Sequence, residues 1–161
     1  MTSRIREMSG RWFFKQEWGF QSAPNKVDFE AFGKALIHCA GADGELAPEE
    51  REWILGYLAS HGAEESTIEM LSTYKADQSI HEVLAPSSIA QGGRRAFVYD
   101  ALRACSADGE LHDLERAAVT KLATDLGLPE GTVPQLEAAY RAESEAKARR
   151  IALIFPGKLP F

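Results

Sequence analysis

Cysteine is scarce in this chain: Cys39 and Cys105 are the only two in 161 residues, and neither stands in a CxxC or Cys/His spacing. That excludes a structural zinc site and a disulfide scaffold. Both are expected to be reduced, partly buried helix residues of a cytosolic protein. Long apolar runs are also missing. Ile151–Phe155 is among the longest, far below the roughly 20 residues that cross a bilayer. Met1–Trp12 carries Arg4 and Arg6 without an apolar stretch, so no secretory leader is expected. His38, His61, His81 and His112 form no HExxH. Gly92-Gly93-Arg94-Arg95 lacks the lysine and preceding strand of a phosphate loop, and no nucleophile-elbow string occurs. Sustained alternation of β-branched residues is absent, which predicts few or no strands. What remains is 45% apolar and 26% charged residues, the balance of one ordinary globular domain.

The net charge of −6 is unevenly spread. Residues 1–26 carry five bases against two acids, and residues 141–161 carry the same, so each end is +3. The middle is therefore −12. An acidic body repels nucleic acid and favours cations or basic partners.

One string occurs twice. Ala42-Asp43-Gly44-Glu45-Leu46 returns 65 residues later as Ala107-Asp108-Gly109-Glu110-Leu111. Held without gaps, that offset gives thirteen identities between 31–71 and 96–136, among them Phe32/Phe97, Glu50/Glu115, Arg51/Arg116 and Gly62/Gly127. We read this as an internal duplication. Each copy reads as three helices. In the first, Phe29, Phe32, Leu36 and Cys39 fall at helical spacing over 28–42. Pro48 opens a second helix with Trp53, Ile54, Tyr57 and Leu58 on one face, and Ser66 with Glu69 caps a third. In the second copy the helices span about 93–107, 113–126 and 132–150, with Leu114, Leu122 and Leu126 inward on the middle one and Thr132 with Gln135 capping the last. Ser79 with Glu82 predicts a short helix between the copies. The expected fold is all-α, a bundle of seven to eight helices built from two pseudo-twofold-related three-helix repeats. Residues 27–150 form the domain, with repeats at about 28–75 and 93–150.

The ends differ in character. Residues 1–26 form an aromatic, basic extension and 151–161 an apolar tail. A large exposed apolar patch is a liability in a soluble protein. Ile151, Leu153, Ile154 and Phe155 are therefore expected to fold back on Trp12, Phe13 and Trp18. The alternative is a tail whose bases and apolar side chains seat on an anionic membrane surface.

The repeated strings carry the only patterned chemistry. Gly44 and Gly109 suit left-handed backbone at the end of a helix, and Glu50 and Glu115 suit the first turn of the next one. These residues need be no more than a structural turn. The same residues also put three carboxylates around each turn: Asp43, Glu45 and Glu50, then Asp108, Glu110 and Glu115. Oxygen-only clusters beside a glycine suit a hard divalent cation of the Ca²⁺ or Mg²⁺ class. The spacing echoes half an EF-hand loop, but Cys39, Gly41, Ala104 and Ser106 stand where further ligands are needed. Any site is thus weaker than an EF-hand or assembled from both copies. His112 is read as an exposed loop residue, because its counterpart is Ala47. No catalytic constellation is legible, so the chain is not expected to be an enzyme, a carboxylate hydrolase being the remaining catalytic option.

Paired ADGE-x4-E helix-loop-helix units in a helical bundle resemble the TerB-like tellurite-resistance proteins, and also the N-terminal helical domain of a membrane-anchored DnaJ-type co-chaperone. The resemblance covers about 27–140. It implies acidic residues that chelate a metal, carried here by Asp43, Glu45, Glu50, Asp108, Glu110 and Glu115. It further implies membrane-associated stress-response complexes with protein partners, and no established catalysis. The expected location is cytoplasmic, with a peripheral position at the inner membrane face left open.

Overall fold

A computed structural model of the chain describes residues 3–42, 44–88 and 92–159. Among these, eight helices and no strands are present: α1 (Ser3–Trp18), α2 (Lys26–Ala40), α3 (Pro48–Ser60), α4 (Glu65–Thr73), α5 (Ile80–Leu84), α6 (Arg94–Cys105), α7 (Asp113–Asp125) and α8 (Thr132–Ile154). The all-α expectation is met.

The matched helices of the two copies form the centre. Helix α2 is buried nearly all round and packs on α3, α4, α5, α6 and α7. Helix α6 packs on α2, α3, α7 and α8. Ala31, Gly33, Ala35 and Ala40 on α2, with Ala101 and Ala104 on α6, keep these helices thin. Phe97, Leu36, Ile54, Leu58, Leu71 and Leu102 fill the space between them.

Local geometry repeats along with the sequence. Helices α3 and α7 begin and end at matched positions, Pro48–Ser60 and Asp113–Asp125. Gly44 and Gly109 have φ of +103° and +106°, a region open mainly to glycine. Their N–H groups bond the carbonyls of Gly41 and Ser106 at 3.1 and 3.2 Å. Leu46 and Leu111 pack, half-buried, against the core. A β-branched residue at such φ is strained by about 1–3 kcal/mol. Gly44→Val and Gly109→Val should therefore each lower the thermal midpoint, while unchanged melting of both would remove the turn's requirement for glycine.

Four details depart from the sequence reading. The aromatic N-terminal stretch forms helix α1. Helix α4 starts two residues early, with Glu64 rather than Ser66 at its N-cap, and Ser66 meets Lys26 instead. Helix α8 is capped by Gly131 at φ +84°, with Thr132 already inside the first turn and bonded to the Pro129 carbonyl. Leu114 is 59% exposed, and Val119 takes the inward place on α7.

The two ends behave differently from one another. Helix α1 covers the bundle: Phe14 is buried, stands edge-on to His61 at 5.0 Å and meets Phe29. Trp18 donates to the Tyr57 hydroxyl, and Glu17 pairs with Arg103 at 2.7 Å. The C-terminal tail does not fold back on α1. After Pro134 in its first turn, helix α8 meets no glycine or proline before Pro156, so it runs on to Ile154 and carries its end away from the body. Leu153 is 77% exposed and Trp12 57%.

Candidate functional site

Glu50 and Glu115 are the third residues of α3 and α7. The residues before these helices, Ala47 and His112, make no side-chain cap. The glutamates reach back instead: Oε2 of Glu50 accepts from the Ala47 N–H and Oε2 of Glu115 from the His112 N–H, both at 2.9 Å. This is half of a capping box. It turns each carboxyl inward, beneath α2 and α6. Glu50 is 2% exposed and Glu115 is 1%.

The two carboxyls then meet each other. The Glu50 carboxyl lies within reach of Glu115, and its Oε1 is buried with no hydrogen-bond partner among the described residues. Two ionised carboxylates offer only acceptors, so a bond between this pair requires a proton held between them. Burial, the bond to Glu115 and the charges of Glu115 and Asp108 push Glu50 up to about 8. Two buried thiols lie within the same field. Burial and the Glu115 charge push Cys39 up to about 12. Cys105 is pushed up by burial and by Cys39, Glu115 and Glu50. Both cysteines are free and stay protonated at neutral pH. Each repeat thus contributes one glutamate and one thiol to a single buried acidic centre.

The remaining expected ligands are placed differently. Asp43 lies outside the described residues. Glu45 and Glu110 are exposed. Asp108 turns on its own loop, where Oδ1 accepts from the Glu110 N–H at 3.0 Å and Oδ2 lies 3.9 Å from His112 Nε2. Among the described residues, no three His, Cys, Asp or Glu side chains gather in metal-binding geometry. Among the described residues, Glu50 and Glu115 converge, and they converge across the repeats.

A second polar cluster joins α1 to the centre. The Tyr57 hydroxyl donates to Asp100 at 2.9 Å, and Arg103 bridges Asp100 and Glu17. Its guanidinium lies over the rings of Trp53, Tyr57 and Tyr99. Burial pushes Asp100 up to about 7, with Arg103 and Tyr57 pulling back. The sequence signal for this cluster is an acid at the inward position between Phe97 and Ala104 on α6. A cavity of about 690 Å³ opens beside it. Its carboxylates are already engaged, Asp100 as described and Asp28 by Ser87 and Ser88, which leaves an apolar recess walled by Phe14, Trp18 and Phe32.

The described architecture matches known proteins closely. The family model of DUF533, a protein family of unknown function, matches residues 15–140. The chain belongs to the DUF533 family. A solved structure of a tellurite resistance protein from Nostoc punctiforme superposes with a TM-score of 0.89 at 38% identity, covering 99% of this chain and 100% of that one. The resemblance to TerB-like tellurite-resistance proteins is thereby borne out. No curated protein matches. In this DUF533 chain the paired glutamates bring one acid of each repeat together.

Proposed function

We propose that this protein is a non-catalytic TerB-like sensor or scaffold of the tellurite-resistance type, and that a divalent cation competes with the shared proton of Glu50 and Glu115. The observation that carries the reading is the buried, unsatisfied Oε1 of Glu50 facing a second carboxyl. Two carboxylates in one place fit a hard cation of the Ca²⁺ or Mg²⁺ class. In this reading Glu50 and Glu115 hold it, in one site assembled from both repeats rather than one at each acidic turn. Binding would lock α3 and α7 together and signal the ion to protein partners. Those partners are proteins rather than nucleic acid, given the −12 body.

The test is thermal melting of the purified chain, first with EDTA and then with Ca²⁺, Mg²⁺ or Mn²⁺. A ligand held at about 100 times its Kd stabilises by about 2.7 kcal/mol. The expected result is a rise in midpoint with one of these ions, accompanied by proton release near neutral pH and lost in Glu50→Gln and in Glu115→Gln. Equal melting with and without every ion would leave the metal-free reading. There the pair keeps its proton permanently and the bundle serves as an interaction module, a reading supported by the burial of the two neighbouring carboxyls.

A further inference from the structure

The second half of α8 has no counterpart on the body to cover it. Its buried residues, Thr132 and Val133, lie at the start of the helix. Its last anchors are Glu137, paired with Arg116, Tyr140 against Tyr99, and Glu143, which accepts from the Tyr99 hydroxyl. From Glu145 to Leu159 every residue but Ile151 is exposed. Leu153, Ile154, Phe155 and Leu159 are 77%, 59%, 40% and 61% exposed. Lys147, Arg149, Arg150 and Lys158 are interleaved with them against one acid, Glu145. Among the described residues none of these four bases forms an ion pair.

We infer that this projecting end, 145–159, docks on the surface of an anionic lipid bilayer. Bases alternating with large apolar side chains fit an interface that is anionic at the headgroups and apolar beneath them. The charge is segregated in the way such docking needs. The tail is +3 over 145–159 while the middle of the chain is −12, and α8 carries the tail outward, so the body stays clear of the lipid charge. Contact is superficial, because no helix is long and apolar enough to cross a membrane among the described residues. The inference does not depend on the glutamate pair.

The experiment is cosedimentation of the full chain with vesicles of phosphatidylcholine and phosphatidylglycerol, beside vesicles of phosphatidylcholine alone. Binding is expected to the anionic vesicles at low salt, weaker by about tenfold or more at high salt or without phosphatidylglycerol. The same loss is expected in Arg149→Gln/Arg150→Gln and in Leu153→Ser/Ile154→Ser. All four side chains are outside the core, so both variants should melt like the parent, which separates loss of docking from loss of fold. Three results would overturn the inference. One is no binding to anionic vesicles at low salt. Another is binding that both variants retain. The third is a dimer in solution that Leu153→Ser/Ile154→Ser dissociates, which would make a second copy the occupant.

Discussion

Gly10→Val is expected to release α1 from the bundle. A Cβ on Gly10 would stand 2.3 Å from the His61 carbonyl oxygen and 3.2 Å from the Cα of Gly62. Both obstacles are backbone, so no side chain can turn aside. Gly62 itself sits at φ +95°, fixed by the turn that ends α3, and its own Cβ would meet the Arg6 carbonyl at 3.1 Å. Two glycines therefore let one helix cross the end of another at backbone contact. Pushing α1 outward loses the burial of Phe14, the ring contacts of Phe13 and Phe14 with His61, and the Ser9–Ser60 bond. We expect a loss of about 3 kcal/mol, a lower thermal midpoint and protease cleavage near 19–25. Gly56→Ala is the contrast. It lies mid-helix on α3 with open space around it, so it should stabilise by about 0.5–1 kcal/mol. Parental melting of Gly10→Val would place α1 elsewhere.

Helix α1 is also where the sequence was least legible. Its exposed stripe of Ile5, Met8 and Trp12 and its buried Phe14 lie on different faces, and Gly10 weakens the helical pattern further. Composition therefore marked an aromatic segment without marking a helix. The starts of helices α3 and α7 were legible to the residue, because the duplication aligned them and Pro48 fixed one of them. The acids of the site were seen but misplaced. The turn suggested three carboxylates facing one loop, whereas Glu50, Ile54 and Leu58 recur at i, i+4 and i+8, the same face of α3. Glu115 and Val119 repeat the register on α7. An acid in line with two core residues belongs to the core, and that signal was present in the spacing. What spacing could not supply is the meeting of the two repeats, since it depends on how α2 and α6 pack. The tail failed for a different reason: burial of apolar side chains favours folding back, but an unbroken helix has no hinge with which to do it.

Glu50→Gln should change the pH dependence of stability more than any other single substitution. Glu50 moves from the usual carboxyl value near 4.5 up to about 8 on folding. Between those values the folded chain holds a proton that the unfolded chain has released, so stability falls as pH rises through this window and levels off above about 8. His61 acts in the opposite sense. Its Nδ1–H donates to the Tyr57 carbonyl at 2.7 Å, its Nε2 is buried without a partner, and burial lowers its pKa below the usual 6.5. The folded state therefore resists its protonation, and stability falls as pH drops below about 6.5. Below about pH 6.5 the two effects oppose each other, and above it the Glu50 effect remains. Asp100, raised to about 7, adds to the alkaline limb, and comparison of variant with parent at each pH removes its contribution. In Glu50→Gln the amide oxygen still accepts from Ala47 N–H and the amide nitrogen donates to the Glu115 carboxyl. The bond that required a shared proton becomes permanent. Each unit of the shift is worth about 1.4 kcal/mol, and relaxation around the pair reduces the total. We expect near-parental stability at about pH 5, and a gain of roughly 2 kcal/mol at about pH 9, measured by denaturant unfolding. A variant as steeply pH-dependent as the parent between pH 5 and 9 would mean that Glu50 and Glu115 hold no common proton.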